Sequence, residues 1–309
     1  MNLTSQSRIA GVLFMILIPF LAIMCSSHEE SDAIPPSSED SLFSDPINNG
    51  KVDNDEIDEA SGLAASRINH NMLWTHNDSG DKSRIFLISD KAQHIGEFYL
   101  KDAKLRDAED IAVGPGPKVG ESYIFLGDIG DNSASKDIKQ IYVFPEPDID
   151  GRQLPITDTI EGYDVIHFQY PDRNRDAETL MVDPLTRNIY IVSKREINVV
   201  MYRINYPYTL NDTITAEKIG VLPLSIITGG DISPEGNEVL LKSYNAVYYY
   251  KLIGDEKVES IISKQPTLLP YAAEPQGEAI CWKVDGSGYY TLSEEVMSIQ
   301  AVLYFYQRK

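Results

Sequence analysis

One four-residue pattern recurs five times in this chain, and a repeat at that spacing leaves few architectures open. A small residue is followed by two variable positions and then Ile or Leu. The copies are Ala60-Ser61-Gly62-Leu63, Ala108-Glu109-Asp110-Ile111, Ala177-Glu178-Thr179-Leu180, Gly229-Gly230-Asp231-Ile232 and Gly277-Glu278-Ala279-Ile280. Successive copies lie 48, 69, 52 and 48 residues apart, and two of them extend to the same Arg-Asp-Ala-Glu tetrapeptide, ending at Glu109 and Glu178.

The residues after each copy repeat as well. A turn punctuated by Gly, Pro, Asn or Asp comes first, then a short run such as "YIFLG" or "IYIVS". After a polar break comes a second run rich in aromatic and branched residues, such as "RIFLIS" or "AVYYYKL". These have strand length and strand composition. No segment after residue 57 keeps a helical apolar period over three turns. The reading is an all-β chain, a single β-propeller of four-stranded blades over residues 57–309. Five blades fit the copies, and the long interval leaves a sixth possible. The last copy stops after its third strand, at Lys309. The stretch around residues 46–58 has no other employment, so an N-terminal strand is expected to close the ring and cover the open edges.

The first 24 residues read differently. One positive side chain, Arg8, precedes "IAGVLFMILIPFLAIM", which is 16 uncharged and mostly apolar residues. That is short for a bilayer span and suits a signal-peptide core. Cys25 comes directly after it, then the polar "SSHEESD", an arrangement that resembles the lipobox of bacterial lipoproteins. The resemblance implies a lipid on Cys25, export, and a location in the bacterial cell envelope, at the outer membrane or cell surface; an uncleaved anchor and ordinary secretory cleavage are the alternatives. Residues 25–56, rich in Ser, Pro, Asp and Glu, read as a lipid-anchored flexible spacer. The other cysteine, Cys281, sits in an apolar run and reads as a buried small hydrophobe.

The formal charge of −20 argues against a nucleic-acid surface, which needs a basic face. Within a blade, strands one and two are antiparallel, so the start of the first lies beside the end of the second. This brings Glu109 near Asp128, Glu178 near Lys194, Glu278 near Glu294, Ser61 near Asn77 and Asp231 near Ser243. One face of the disc then gathers Asn77, Asp78, Glu109, Asp110, Asp128, Asp131, Asn132, Glu178, Asp231, Glu278 and Glu294, against few cations. Such a rim suits a hard cation, calcium above all, which takes six to eight oxygen ligands. The alternative is that these carboxylates accept backbone N–H groups or pair with Arg106 and Arg175. Catalytic signatures are thin. The five histidines are scattered with no HExxH pair, no GxSxG elbow exists, and "GPGPKVGES" lacks the ending of a phosphate-cradling loop.

The stretches "DEASGLAAS", "LWTHNDSGDKSRIFLIS", "AEDIAVGP" and "YIFLGDIGDN" resemble the exported propellers of the phytase-like and SdiA-regulated group. The likeness runs through about residues 57–132. It implies a propeller, with calcium-ligand roles for Asn77, Asp78, Glu109, Asp110, Asp128 and Asp131. The rim adds Glu178 and Glu278 to that set, and Asn132, Lys194, Asp231 and Glu294 as ligand contacts. The expected protein is a membrane-tethered monomer that binds a small molecule or protein partner on an acidic, calcium-binding face. The alternative is a calcium-dependent phosphoesterase-like hydrolase. That needs several Lys and Arg side chains for a polyanion, and this rim is poor in them.

Overall fold

The computed structural model describes residues 41–297 and 299–309, so the lipidation and signal-peptide expectations, and the spacer expectation over residues 25–40, fall outside the described residues. The chain forms five mainly antiparallel sheets arranged as blades. Their innermost strands are Ala60–Ala65, Ala108–Pro115, Ala177–Val182, Ile227–Ile232 and Gln276–Trp282. Each inner strand packs against those of its two neighbours, and the fifth packs against the first, which makes the ring of a five-bladed propeller. One short 3-10 helix, Val258–Ser263, is the only helical element among the described residues.

The apolar residues obey this geometry. Side chains alternate across a strand, yet nearly every residue of the inner and second strands is buried, because both sheet faces meet a neighbouring blade. Five separate apolar clusters result, one in each seam. Phe86 and Leu303 belong to the seam between blades 5 and 1, Trp74 and Leu126 to blades 1 and 2, and Phe125 and Tyr202 to blades 2 and 3. Tyr190 and Tyr250 lie between blades 3 and 4, while Phe43 and Trp282 lie between blades 4 and 5. At roughly 25 cal/mol per Å² of apolar area removed from water, such seams dominate the folding energy. Cys281 is fully buried, as its apolar setting suggests.

Residues 47–51, from the stretch read as spacer, form the outermost strand of the fifth sheet, with Ile47 opposite Phe305 and Asn48 opposite Tyr304. Phe43 just before them is fully buried, against Tyr249, Trp282 and Tyr289.

The 69-residue interval holds no sixth blade. After the third strand of blade 2, Lys139–Pro145, the chain crosses back and lays Ile156–Ile160 parallel to the outer strand of blade 1, His94–Leu100. It then returns with Asp164–Gln169 as the fourth strand of its own blade. Blade 1 thereby gains a fifth strand donated by blade 2.

Every inner strand carries a β-bulge at the corner, where two residues oppose one on the second strand. The extra residues are Ser61, Glu109, Glu178, Thr228 and Glu278. Blade 4 therefore differs from the sequence alignment: its corner is Ile227-Thr228-Gly229, two residues before the Gly229-Gly230-Asp231 stretch. Ser243 pairs with Ile227, and Asp231 pairs with Leu240, deeper in the sheet. The small first residue holds in four blades, and Ile227 replaces it in the fourth. Crowding acts one step later there, since a Cβ on Gly229 would press on the carbonyl oxygen of Glu278 in the next blade at 2.6 Å.

Candidate functional site: an acidic mouth at the bulge ring

A bulge turns a side chain out of the ladder and re-aims it. Here the five re-aimed residues line the start of the central axis, three of them glutamates that are almost fully buried. The two hydroxyl-bearing members tie blades together. Ser61 donates to the carbonyl of Glu109 at 2.8 Å, and Thr228 lies 3.4 Å from the carbonyl of Glu278.

Two carboxylate triads meet at this mouth. Oxygens of Asp78, Asp107 and Glu109 lie within 4.8 Å of one another, and so do those of Glu109, Asp176 and Glu178. Glu109 is common to both. It is 3 % exposed, and among the described residues its carboxylate has no hydrogen-bond donor and no ion-pair partner. Burial, then the charges of Glu178, Asp78, Asp107 and Asp176, push its pKa well above the ordinary range. Leaving such a group buried and unmatched is costly.

The other acids differ in how their charge is met. Lys194 is ion-paired with Glu178, and its ammonium lies 3.6 Å from Glu278 Oε1. Burial still raises Glu178 to about 8 against the pull of Lys194. Asp107 accepts from Lys136 at 3.0 Å, and Asp176 pairs with Arg195 while accepting the backbone N–H of Asp131 at 2.7 Å. Glu294 receives the amide of Gln276, at 2.6 Å, and burial together with the charge of Glu278 and a hydrogen bond shared with it lifts it to about 9. Burial also lifts Asp78 to about 6. Seven carboxylates thus face three cations, each already engaged by an acid.

Not every residue of the expected rim points into the mouth. Asp110 spends both oxygens on backbone N–H groups, its own neighbour Ile111 at 2.9 Å and Leu180 of the next blade at 2.8 Å. Asp231 does the same with Ile232 and Trp282, both at 2.8 Å, and burial raises it to about 7. Asp128 accepts from the backbone of Arg106 and Asp107 and from the Arg106 guanidinium. Asp131 holds the fully buried Lys139 at 2.7 Å. Burial would raise Asp131, but Lys139 and the N–H groups of Ser135 and Lys136 outweigh it and bring it to about 2. Asn132 is exposed and accepts from Arg195. Asn77 donates to the carbonyl of Glu56 at 2.7 Å, while its own carbonyl oxygen is buried without a donor. It lines a small cavity of about 10 Å³ between blades 1 and 2, together with Asp78 and Asp107.

Asp107 and Asp176 join the mouth although neither belongs to the expected rim. Their signal is nonetheless in the sequence: both are the Asp of the duplicated Arg-Asp-Ala-Glu tetrapeptide. The tetrapeptide supplies two mouth carboxylates at each occurrence, one on the entering loop and one on the bulge. Gly130 makes room for them, since a Cβ there would collide with Glu109 Oε1 and stand 2.7 Å from the Asp107 carboxyl carbon.

No family model and no curated protein matches the chain. Similar solved structures include a luciferin-regenerating enzyme, 11 % identical, with a TM-score of 0.46 over 85 % of this chain and 95 % of that one. A nidogen–laminin complex is 14 % identical, with a TM-score of 0.44 over 76 % and 72 %. The Dos1 propeller is 11 % identical, with a TM-score of 0.37 over 80 % and 68 % of the two chains.

Proposed function

We propose that this chain is an exported propeller, tethered to the cell envelope through Cys25, that binds a ligand or protein partner at its acidic mouth around a bound calcium ion. The supporting observation is Glu109, a buried carboxylate without a partner among the described residues, at the junction of two carboxylate triads. Asp78, Asp107 and Glu109 fit a hard cation best: Lys136 alone pairs with this triad, at Asp107, and Asn77, whose carbonyl oxygen has no donor among the described residues, lines a cavity with Asp78 and Asp107. The second triad already has Lys194 and Arg195 against it. A bound cation would neutralise carboxylates and order the loops that carry them.

Binding is favoured over phosphoester hydrolysis because a polyanionic substrate needs uncommitted Lys or Arg groups. Lys136, Lys194 and Arg195 are each held by a carboxylate. The test is thermal unfolding with calcium and with chelator. The expected result is a calcium-dependent rise in melting temperature in the wild type that is lost in Glu109→Gln. Equal midpoints for the wild type in millimolar calcium and in chelator would overturn the reading.

A further inference from the structure

The bulge ring has a gap. Blades 3 and 5 contribute Glu178 and Glu278, but blade 4 between them contributes Thr228. The ammonium of Lys194 fills that sector. It is paired with Glu178, sits 3.6 Å from Glu278 and lies 4.9 Å from the centre of the Tyr244 ring of blade 4. Lys194 is 5 % exposed, and among the described residues no other ammonium lies between two bulge glutamates.

We infer that Lys194 is a built-in counter-cation: it closes the Glu178–Glu278 half of the mouth to metal, and its removal opens a second hard-cation site there. The oxygens for such a site are in place. Glu178 lies within 4.8 Å of the unpartnered Glu109, and the Ser61 hydroxyl is 3.4 Å from Glu278. A side-chain ammonium needs no association step, so it loses no translational freedom on occupying the sector and excludes free ions at ordinary concentrations. The ring stacked beside it adds cation–π attraction that a strongly hydrated divalent ion does not recover. On the opposite side Lys136 holds Asp107, but among the described residues no tethered cation reaches Glu109, and an ion from solution takes that place. The count of one ion in the wild type rests on the function proposed above; the exclusion by Lys194 does not.

The test is the number of calcium ions bound by the full chain, from isothermal titration and native mass spectrometry, in four proteins. The expected counts are one for the wild type and for Lys194→Arg, which keeps the charge, and two for Lys194→Met. Adding Glu178→Gln to Lys194→Met should return the count to one. A Lys194→Met protein that binds no more calcium than the wild type overturns the inference. Should that variant fold only with calcium, the count is taken in calcium, and failure to fold in millimolar calcium overturns the inference too. A wild type that binds none beside a Lys194→Met variant that binds one would sink the calcium-centred function while leaving the role of Lys194 standing.

Discussion

The carboxylates of Glu109 and Glu178 approach within 4.8 Å although they belong to adjacent blades. Their proximity arises from two bulges at the same place in neighbouring inner strands. Among the described residues only Glu178 of the two has a cation of its own, so the pair is electrostatically lopsided. Glu109→Gln should therefore stabilise the calcium-free protein. Relief of about 1 kcal/mol raises the melting midpoint of a chain this size by roughly 2–4 °C. Differential scanning calorimetry in chelator checks it, and a lowered midpoint would contradict the electrostatic account.

The pH dependence is set by the same acids. Asp78, Glu178 and Glu294 are raised to about 6, 8 and 9, and Glu109 is raised as well. A carboxyl whose folded pKa exceeds its unfolded value contributes stability that is complete below the unfolded pKa and lost as pH rises through the folded one. The calcium-free protein should lose stability steadily between pH 5 and pH 9. Calcium favours the ionised forms, so its affinity should rise over that interval with release of protons. Titrations in buffers of different ionisation enthalpy measure that release, and a calcium affinity independent of pH would count against it.

Gly130 is a steric requirement. Gly130→Ala places a methyl group against Glu109 and Asp107. Such overpacking costs about 1–3 kcal/mol, and the displaced carboxylates should weaken calcium binding at least tenfold. Gly162→Ala is the control, since its Cβ would meet no atom within 4 Å. Urea denaturation and calcium titration of both variants test this, and equal behaviour would refute it.

Asp131 and Lys139 form an ion pair in which both side chains are fully buried. Lys139→Met strands a carboxylate that also accepts the N–H groups of Ser135 and Lys136. Removing one partner of a buried pair costs about 3–5 kcal/mol. Replacing both, as Asp131→Asn with Lys139→Met, should recover much of that loss. A double-mutant cycle by chemical denaturation reads the coupling, and additive losses would show that the pair is not coupled.

The fold is largely legible because strand runs and corners repeat at the level of local composition. Five corners correspond to five blades, and the blade-2 corner places Ala108 opposite Asp128. Register in blade 4 is not legible. The small pair Gly229-Gly230 mimics the corner, and only the pairing of Ile227 with Ser243 identifies the true bulge. The strand at residues 156–160 is hidden for another reason, since its partner lies in an earlier blade. At the site, Glu109, Glu178 and Glu278 are evident from the repeat. The fates of Asp110 and Asp231 are not, because each binds an N–H in the next blade, that of Leu180 or Trp282. Such a partner is set by packing across a seam, which leaves no mark near the acid in the sequence.

The strand exchanged from blade 2 to blade 1 bears on the mouth as well. It joins, at their outer ends, the same two blades whose inner ends supply Asp78, Asp107 and Glu109. A hinge between those blades would spread the three carboxylates apart, and the exchanged strand acts as a tie-bar against it. Coulomb repulsion among the acids is thereby carried by backbone hydrogen bonds at the rim of the disc, well away from the charges that cause it.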